Sequence, residues 1–96
     1  MGHDIYGHRP TEKEEAVAYL RRSAFSEYSK EIYNALDCLD CSGGVSGIGI
    51  DREFSKDDLM RALDYLVGKE ELKPEAKFIS ECLLNIEDGK IVIGFY

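Results

Sequence analysis

Basic residues are scarce in this sequence: 12 Lys and Arg stand against 19 Asp and Glu, which gives a net charge of -7. Neither half of the chain concentrates its basic residues into a patch, so the phosphate neutralisation that drives nucleic-acid binding is missing. Long hydrophobic runs are missing too, since stretches such as Ile91 to Ile93 fall far short of the roughly 20 residues that span a bilayer. We therefore expect a protein that binds neither nucleic acid nor membrane.

Cysteine is also scarce, with 3 residues, at positions 38, 41 and 82. An odd number of cysteines, behind an N-terminus without an apolar export signal, argues against a disulfide framework. We expect a reduced, cytoplasmic setting. At 96 residues, 44% hydrophobic and 32% charged, the chain has the size and composition of one globular domain spanning residues 1–96.

Four stretches of the sequence show the hydrophobic periodicity of amphipathic helices. The first has capping-box spacing between Thr11 and Glu14, with acidic residues in its first turn and arginines in its last, which suits the helix dipole. Gly68 ends the third stretch, and Pro74 suits the start of the fourth. The predicted helices span residues 11–23, 26 to about 38–40, 55–67 and 74–86.

The C-terminal residues Lys90–Tyr96 alternate as a β-strand with apolar side chains on both faces. A strand covered on both faces needs hydrogen-bonding partners, and the segments 4–7 and 45–50 are the candidates. The predicted fold is α+β, with about four amphipathic helices packed on a small two- or three-stranded sheet that includes the C-terminal strand.

The opening MGHDIYG, the run AYLRRSAF and the stretch IYNALDCLDCSGGVSGIG resemble small uncharacterised bacterial and phage-type proteins. Those proteins begin Met-Gly-x-Asp, followed by Ile or Val, Tyr and Gly. The resemblance implies a phage-related or mobile-element origin and brings no known activity with it. It rests on Met1, Gly2, Asp4, Ile5, Tyr6 and Gly7.

Cys38 and Cys41 have the two-residue gap with which two thiolates hold one tetrahedral zinc ion. The two histidines, His3 and His8, are separated by four residues and could complete such a site. The alternative is that both cysteines are small side chains buried beside the apolar stripe of a helix. The candidate metal ligands are therefore His3, His8, Cys38 and Cys41, and no cofactor besides zinc is expected.

His3 and His8 are also the only side chains that ordinarily titrate near neutral pH, and Asp4 is placed to orient an imidazole. A small enzyme with a His3/Asp4/His8 site is therefore an alternative. Against catalysis, Ser46 has no nucleophile-elbow motif around it, and the glycine order of residues 44–49 departs from the dinucleotide-binding fingerprint.

Six tyrosines are too many for the core of a 96-residue domain to hold with every hydroxyl satisfied. Tyrosine is favoured at interfaces because its ring buries apolar area while its hydroxyl stays wet. We expect a non-enzymatic protein-binding module whose partner is another protein or a second copy of the chain, and we expect no small-molecule ligand. A zinc-binding domain is the first alternative. The candidate partner-binding residues, near the connection of the first two predicted helices, are Tyr19, Arg22, Tyr28 and Tyr33.

Overall fold

The computed structural model describes residues 2–96, apart from the side chain of Lys13, as a four-stranded antiparallel sheet with three α-helices. Met1, the first residue of the motif above, lies outside this range. The strand order across the sheet is β2-β1-β4-β3. The strands are β1 (Gly2–Arg9), β2 (Glu12–Ser23), β3 (Ile50–Ser55) and β4 (Lys90–Phe95), and the helices are α1 (Glu31–Ala35), α2 (Lys56–Leu66) and α3 (Lys73–Leu84).

The prediction of about four helices on a two- or three-stranded sheet is wrong, because residues 12–23 form strand β2 and not a helix. A turn at residues 10–11 joins β2 to β1, and the two strands pair antiparallel. Ala18 and Leu20 are buried while Tyr19 and Arg21 are exposed, so burial alternates every second residue, as in a β-strand. Pairing with β1 therefore overrides the helical spacing that the same residues also satisfy. The predicted second helix is reduced to the single turn α1.

The two remaining helices begin where their local signals place them. Ser55 caps α2, because its hydroxyl accepts from the amide of Asp58 at 3.2 Å and the Asp58 carboxylate accepts from the amide of Ser55 at 2.9 Å. Pro74 lies in the first turn of α3. The C-terminal strand β4 is also present, paired with β1 on one side and β3 on the other.

The helices cover one face of the sheet, which we call the covered face. Helix α3 packs against β1 and β2, and α2 packs against α3 and β3. Gly7 of β1 allows this close approach, because a Cβ there would lie 2.7 Å from the Sγ of Cys82 in α3. Each large apolar side chain fully buried here contributes roughly 1.5–3 kcal/mol. No helix in the described part of the chain has the length and apolarity needed to cross a membrane.

Candidate functional site: the open face of the sheet

We call the opposite face of the sheet the open face. Every second side chain of each strand points to it. Along β1, His3 and Ile5 are buried, whereas Asp4, Tyr6 and His8 are only partly buried. Alternation thus sends His3 to the covered face and its neighbours Asp4 and His8 to the open face. The three residues of the enzyme alternative therefore lie on two different sides of the sheet.

Tyrosine rings gather at the centre of the open face. The ring centroid of Tyr6 lies 5.0 Å from that of Tyr19 and 6.3 Å from that of Tyr96. The imidazole of His8 stacks on Tyr6, also with 6.3 Å between ring centroids. We call Tyr6, His8, Tyr19 and Tyr96 the tyrosine face. Tyr19 is 51% exposed and Tyr96 is 45% exposed, so the cluster presents ring surface to the outside.

Carboxylates fix the outer rings of the tyrosine face. The hydroxyl of Tyr19 donates to Asp4 at 2.6 Å, and the hydroxyl of Tyr96 donates to Asp51 at 2.8 Å. Arg21 donates to both oxygens of Asp4, at 2.8 Å each. The hydrogen bonds from Tyr19 and then Arg21 hold the pKa of Asp4 below its ordinary value. The result is a set of rings whose orientation is set before any partner arrives.

The same carboxylates keep the two outer phenols neutral. Hydrogen bonding to Asp4 raises the pKa of Tyr19, and hydrogen bonding to Asp51 raises the pKa of Tyr96. A phenolate would face a carboxylate across the same short distance, so the protonated form is favoured. These tyrosines are therefore suited to contact and hydrogen bonding, and not to acting as bases near neutral pH.

The four residues expected to bind a partner do not form one exposed patch. Tyr19 belongs to the tyrosine face, but Arg22 points to the covered face, where the buried carboxylate of Glu75 accepts from it at 2.6 and 2.7 Å. Tyr28 is partly buried, with the Arg22 guanidinium 5.6 Å from its ring centroid. Tyr33 is fully buried.

The sequence reasoning missed Tyr6, His8 and Tyr96 as members of a surface. A signal for them existed, because Asp4, Tyr6 and His8 alternate with His3, Ile5 and Gly7 in the period of a half-buried strand. It was obscured because the neighbouring strand, which carries Tyr19, has the spacing of a helix. Tyr96 joins the cluster only through the pairing of β4 with β1.

Of the four candidate zinc ligands, three are fully buried, namely His3, Cys38 and Cys41, while His8 lies on the open face. The Nδ1 of His3 lies 2.7 Å from the hydroxyl of Tyr33, and its Nε2 has no hydrogen-bond partner among the described residues. Within residues 2–96, no group of three or more His, Cys, Asp or Glu side chains is arranged to hold a metal ion.

Burial favours the neutral forms of His3, Cys38 and Cys41. Removal from water lowers the pKa of His3, and the same effect raises the pKa of both Cys38 and Cys41. Zinc binds cysteine as the thiolate, so a zinc ion at this position would have to displace the protons of both thiols.

A shallow cleft of about 300 Å³ lies between β3 and the start of α2. Two arginines line it, but each already has a carboxylate partner: Arg52 donates to Asp40 at 2.7 Å, and Arg61 donates to Asp58. Because these charges are balanced within the chain, the cleft offers no unpaired charge from these arginines to a ligand.

Comparison of the chain with models of known protein families, with curated proteins and with solved structures finds no match. The geometry of the open face is therefore the basis for a functional proposal.

Proposed function

We propose that this chain is a non-enzymatic protein-binding module and that the tyrosine face is its contact surface. The observation that carries the proposal is the cluster of Tyr6, Tyr19 and Tyr96 on the uncovered side of the sheet, with the two outer hydroxyls anchored by carboxylates. Exposed tyrosines at the centre of a surface are typical of residues that dominate binding energy in protein interfaces.

The anchoring of the rings supports binding for an energetic reason. Ordering a free side chain at an interface costs about 0.5–1.5 kcal/mol. Tyr19 and Tyr96 are already ordered by Asp4 and Asp51, so a partner that covers them gains the burial of the rings at a smaller entropic cost. A preformed aromatic surface of this kind suits a partner with an apolar centre.

The charges around the rings favour a protein over a nucleic acid. Bases stack on aromatic side chains where basic groups also track the phosphates. Here Asp51 lies beside the ring of Tyr96, the charge of Asp4 is balanced by Arg21, and the chain carries a net charge of -7. A partner surface that is apolar at its centre and basic at its rim would complement this arrangement, whereas a phosphate backbone would be repelled.

The test is a capture experiment with paired variants. The immobilised chain, its Tyr6→Ser and Tyr19→Ser variants, and a Tyr65→Ser control are exposed to lysate of the native cells, and bound proteins are identified by mass spectrometry. Tyr65 is 38% exposed on α2, away from the open face, so its substitution removes a comparable ring.

The decisive measurement uses the captured protein in purified form. We expect calorimetric affinity for the wild type and for Tyr65→Ser to be equal, and affinity for Tyr6→Ser and Tyr19→Ser to fall at least about tenfold, as for interface hot spots. Circular dichroism checks that each variant is folded. Equal binding by all four proteins would refute the tyrosine face as the contact surface.

A further inference from the structure

Strand β2 is the longest strand of the sheet, with 12 residues, and lies at its edge. Among the described residues, its only backbone hydrogen bond outside the strand ladders is the one that Ser23 accepts from Ser26. Glu14 and Glu15 also have no partner residue in β1, because the register shifts beside His8 leave them unpaired. A long edge of this kind is a template for pairing with another strand.

Charge is distributed unevenly along β2. Its first part is acidic, with exposed Glu12, Glu14 and Glu15, and its last part carries Arg21 and Arg22. The residues between them, 16–20, are uncharged. A second β2 strand laid antiparallel brings the acidic part of each strand to the basic part of the other, whereas a parallel strand would bring like charges together.

We propose that β2 pairs antiparallel with the β2 strand of a second copy of this chain, forming a twofold-symmetric dimer with one continuous sheet. Pairing centred on Ala18 sets Glu15 of one copy opposite Arg21 of the other, whose side chain is half exposed on the open face. Symmetry repeats this contact, so two pairs of unlike charge flank the apolar centre.

A second observation supports antiparallel pairing. Phe25, just beyond the end of β2, is 92% exposed. In the antiparallel dimer the end of β2 lies beside the start of the other copy's β2, where Pro10, Thr11, Glu12, Glu14 and Glu15 line a concavity. The dimer therefore offers cover to a large apolar side chain that the single chain leaves in water.

The opposite edge of the sheet does not offer such a match. On β3, Asp51 and Glu53 share the open face, so an antiparallel copy of β3 sets acidic residues opposite acidic residues. β3 also has 6 residues, half the length of β2. The charge pattern thus selects the β2 edge for self-association.

The proposal is independent of the partner proposed for the tyrosine face. Strand pairing covers only the edge of the sheet, so the rings of Tyr6 and Tyr96 stay accessible. The tyrosine faces of the two copies then lie side by side on the same side of the continuous sheet. Paired strands alone bury less than a standard interface of roughly 800 Å² per partner. We therefore expect a reversible dimer whose population rises with protein concentration and falls with salt.

The test uses sedimentation velocity with three single variants. Glu15→Arg and Arg21→Glu each turn the contacts of their homodimer into like-charge pairs, and both are expected to weaken dimerisation at least tenfold. An equimolar mixture of the two restores unlike charges at both contacts and is expected to form a heterodimer. Glu53→Arg makes the same charge change on the β3 edge and should dimerise as the wild type does.

Recovery in the mixture separates the proposal from a folding defect, since a misfolded chain would not be rescued by its counterpart. A wild type that stays monomeric from micromolar to millimolar concentration would overturn the proposal. So would a dimer that survives Glu15→Arg but is lost in Tyr6→Ser, because that result would place the second copy on the tyrosine face. Neither result depends on whether the capture experiment finds a partner.

Discussion

The ring of Tyr96 lies over the α-carbon of Gly94, where a Cβ would come within 2.6 Å of the Cε2 atom of Tyr96. The same Cβ would lie 2.6 Å from the Oδ1 of Asp51, the atom to which the Tyr96 hydroxyl donates. The Tyr96 ring can therefore pack against the backbone at residue 94 only because Gly94 has no side chain.

We expect Gly94→Ala to destabilise the chain by about 1–3 kcal/mol, the usual cost of overpacking, although alanine is otherwise no worse than glycine in a strand. Urea unfolding measures the effect. In a Tyr96→Ala background the same substitution should cost much less, because the ring is gone and the Asp51 carboxylate, no longer bonded to it, is free to turn away. An equal cost in both backgrounds would show that the ring does not rest on Gly94.

The local signals in the sequence are enough to predict helix α2, which Ser55 caps, and helix α3, which has Pro74 in its first turn. Each of them depends on residues within one turn of one another, such as the reciprocal bonds between Ser55 and Asp58. The strand at residues 90–95 could also be predicted, because its apolar pattern lies within one short segment of the chain. These elements could be predicted because their determinants are local.

Strand β2 could not be predicted in the same way, because Ala16, Val17 and Leu20 satisfy a helical spacing as well as they allow a strand. What decides between the two is pairing with β1, together with the irregular register around His8. The tyrosine face could not be predicted from the sequence for the same reason. Tyr6 and Tyr96 lie 90 positions apart in the sequence and meet only because β1 and β4 are neighbours.

The ion pair between Arg22 and Glu75 ties the end of β2 to α3. The Glu75 side chain is fully buried and the Arg22 side chain is 20% exposed. We expect Glu75→Ala to destabilise the fold by about 3–5 kcal/mol, because it leaves a largely buried guanidinium without its partner. The control is Glu70→Ala, which breaks an exposed pair with Lys73 and should change the unfolding midpoint little.

The double variant Arg22→Met/Glu75→Leu sharpens this test. It removes both charges and keeps apolar volume, so it should recover much of the stability lost in Glu75→Ala. Urea unfolding of the single and double variants gives the comparison. If the double variant is less stable than Glu75→Ala, the loss comes from packing and not from an unpaired charge.

The buried imidazole of His3 makes stability depend on pH. Burial lowers the pKa of His3 in the folded chain below its ordinary value of 6.5, so the unfolded chain binds the proton more readily. Stability is therefore highest above the unfolded pKa and falls as the pH drops from about 7 towards the folded pKa. Carboxylates with a lowered pKa, such as Asp4 and Asp58, lose their contribution to stability only at about pH 4 and below.

Urea unfolding at half-unit steps between pH 5 and 8 measures this dependence. We expect His3→Gln to flatten the profile in this range. His8→Gln, which removes the other imidazole from the opposite face, is measured alongside as the matched variant. A slope that persists in His3→Gln would assign the dependence to another group.

The cysteines should be unreactive in the folded chain, because all three are fully buried. Burial raises the pKa of Cys82 to about 12 and raises those of Cys38 and Cys41 as well, and the thiolate is the form that reacts. We expect iodoacetamide to label the native chain at least about 100-fold more slowly than the same chain in urea. Asp64→Cys supplies an exposed reference thiol on α2 that should be labelled at once.

The same labelling experiment, repeated with a chelator, tests the zinc hypothesis. If Cys38 and Cys41 are buried thiols, a chelator leaves their labelling rate unchanged, because the protection comes from packing. If they ligate zinc, removing the ion exposes two thiolates, and mass spectrometry finds those two sites labelled while Cys82 stays protected. Chelator-dependent labelling confined to Cys38 and Cys41 would therefore contradict the buried-thiol interpretation, and one zinc per chain in elemental analysis would confirm the metal site.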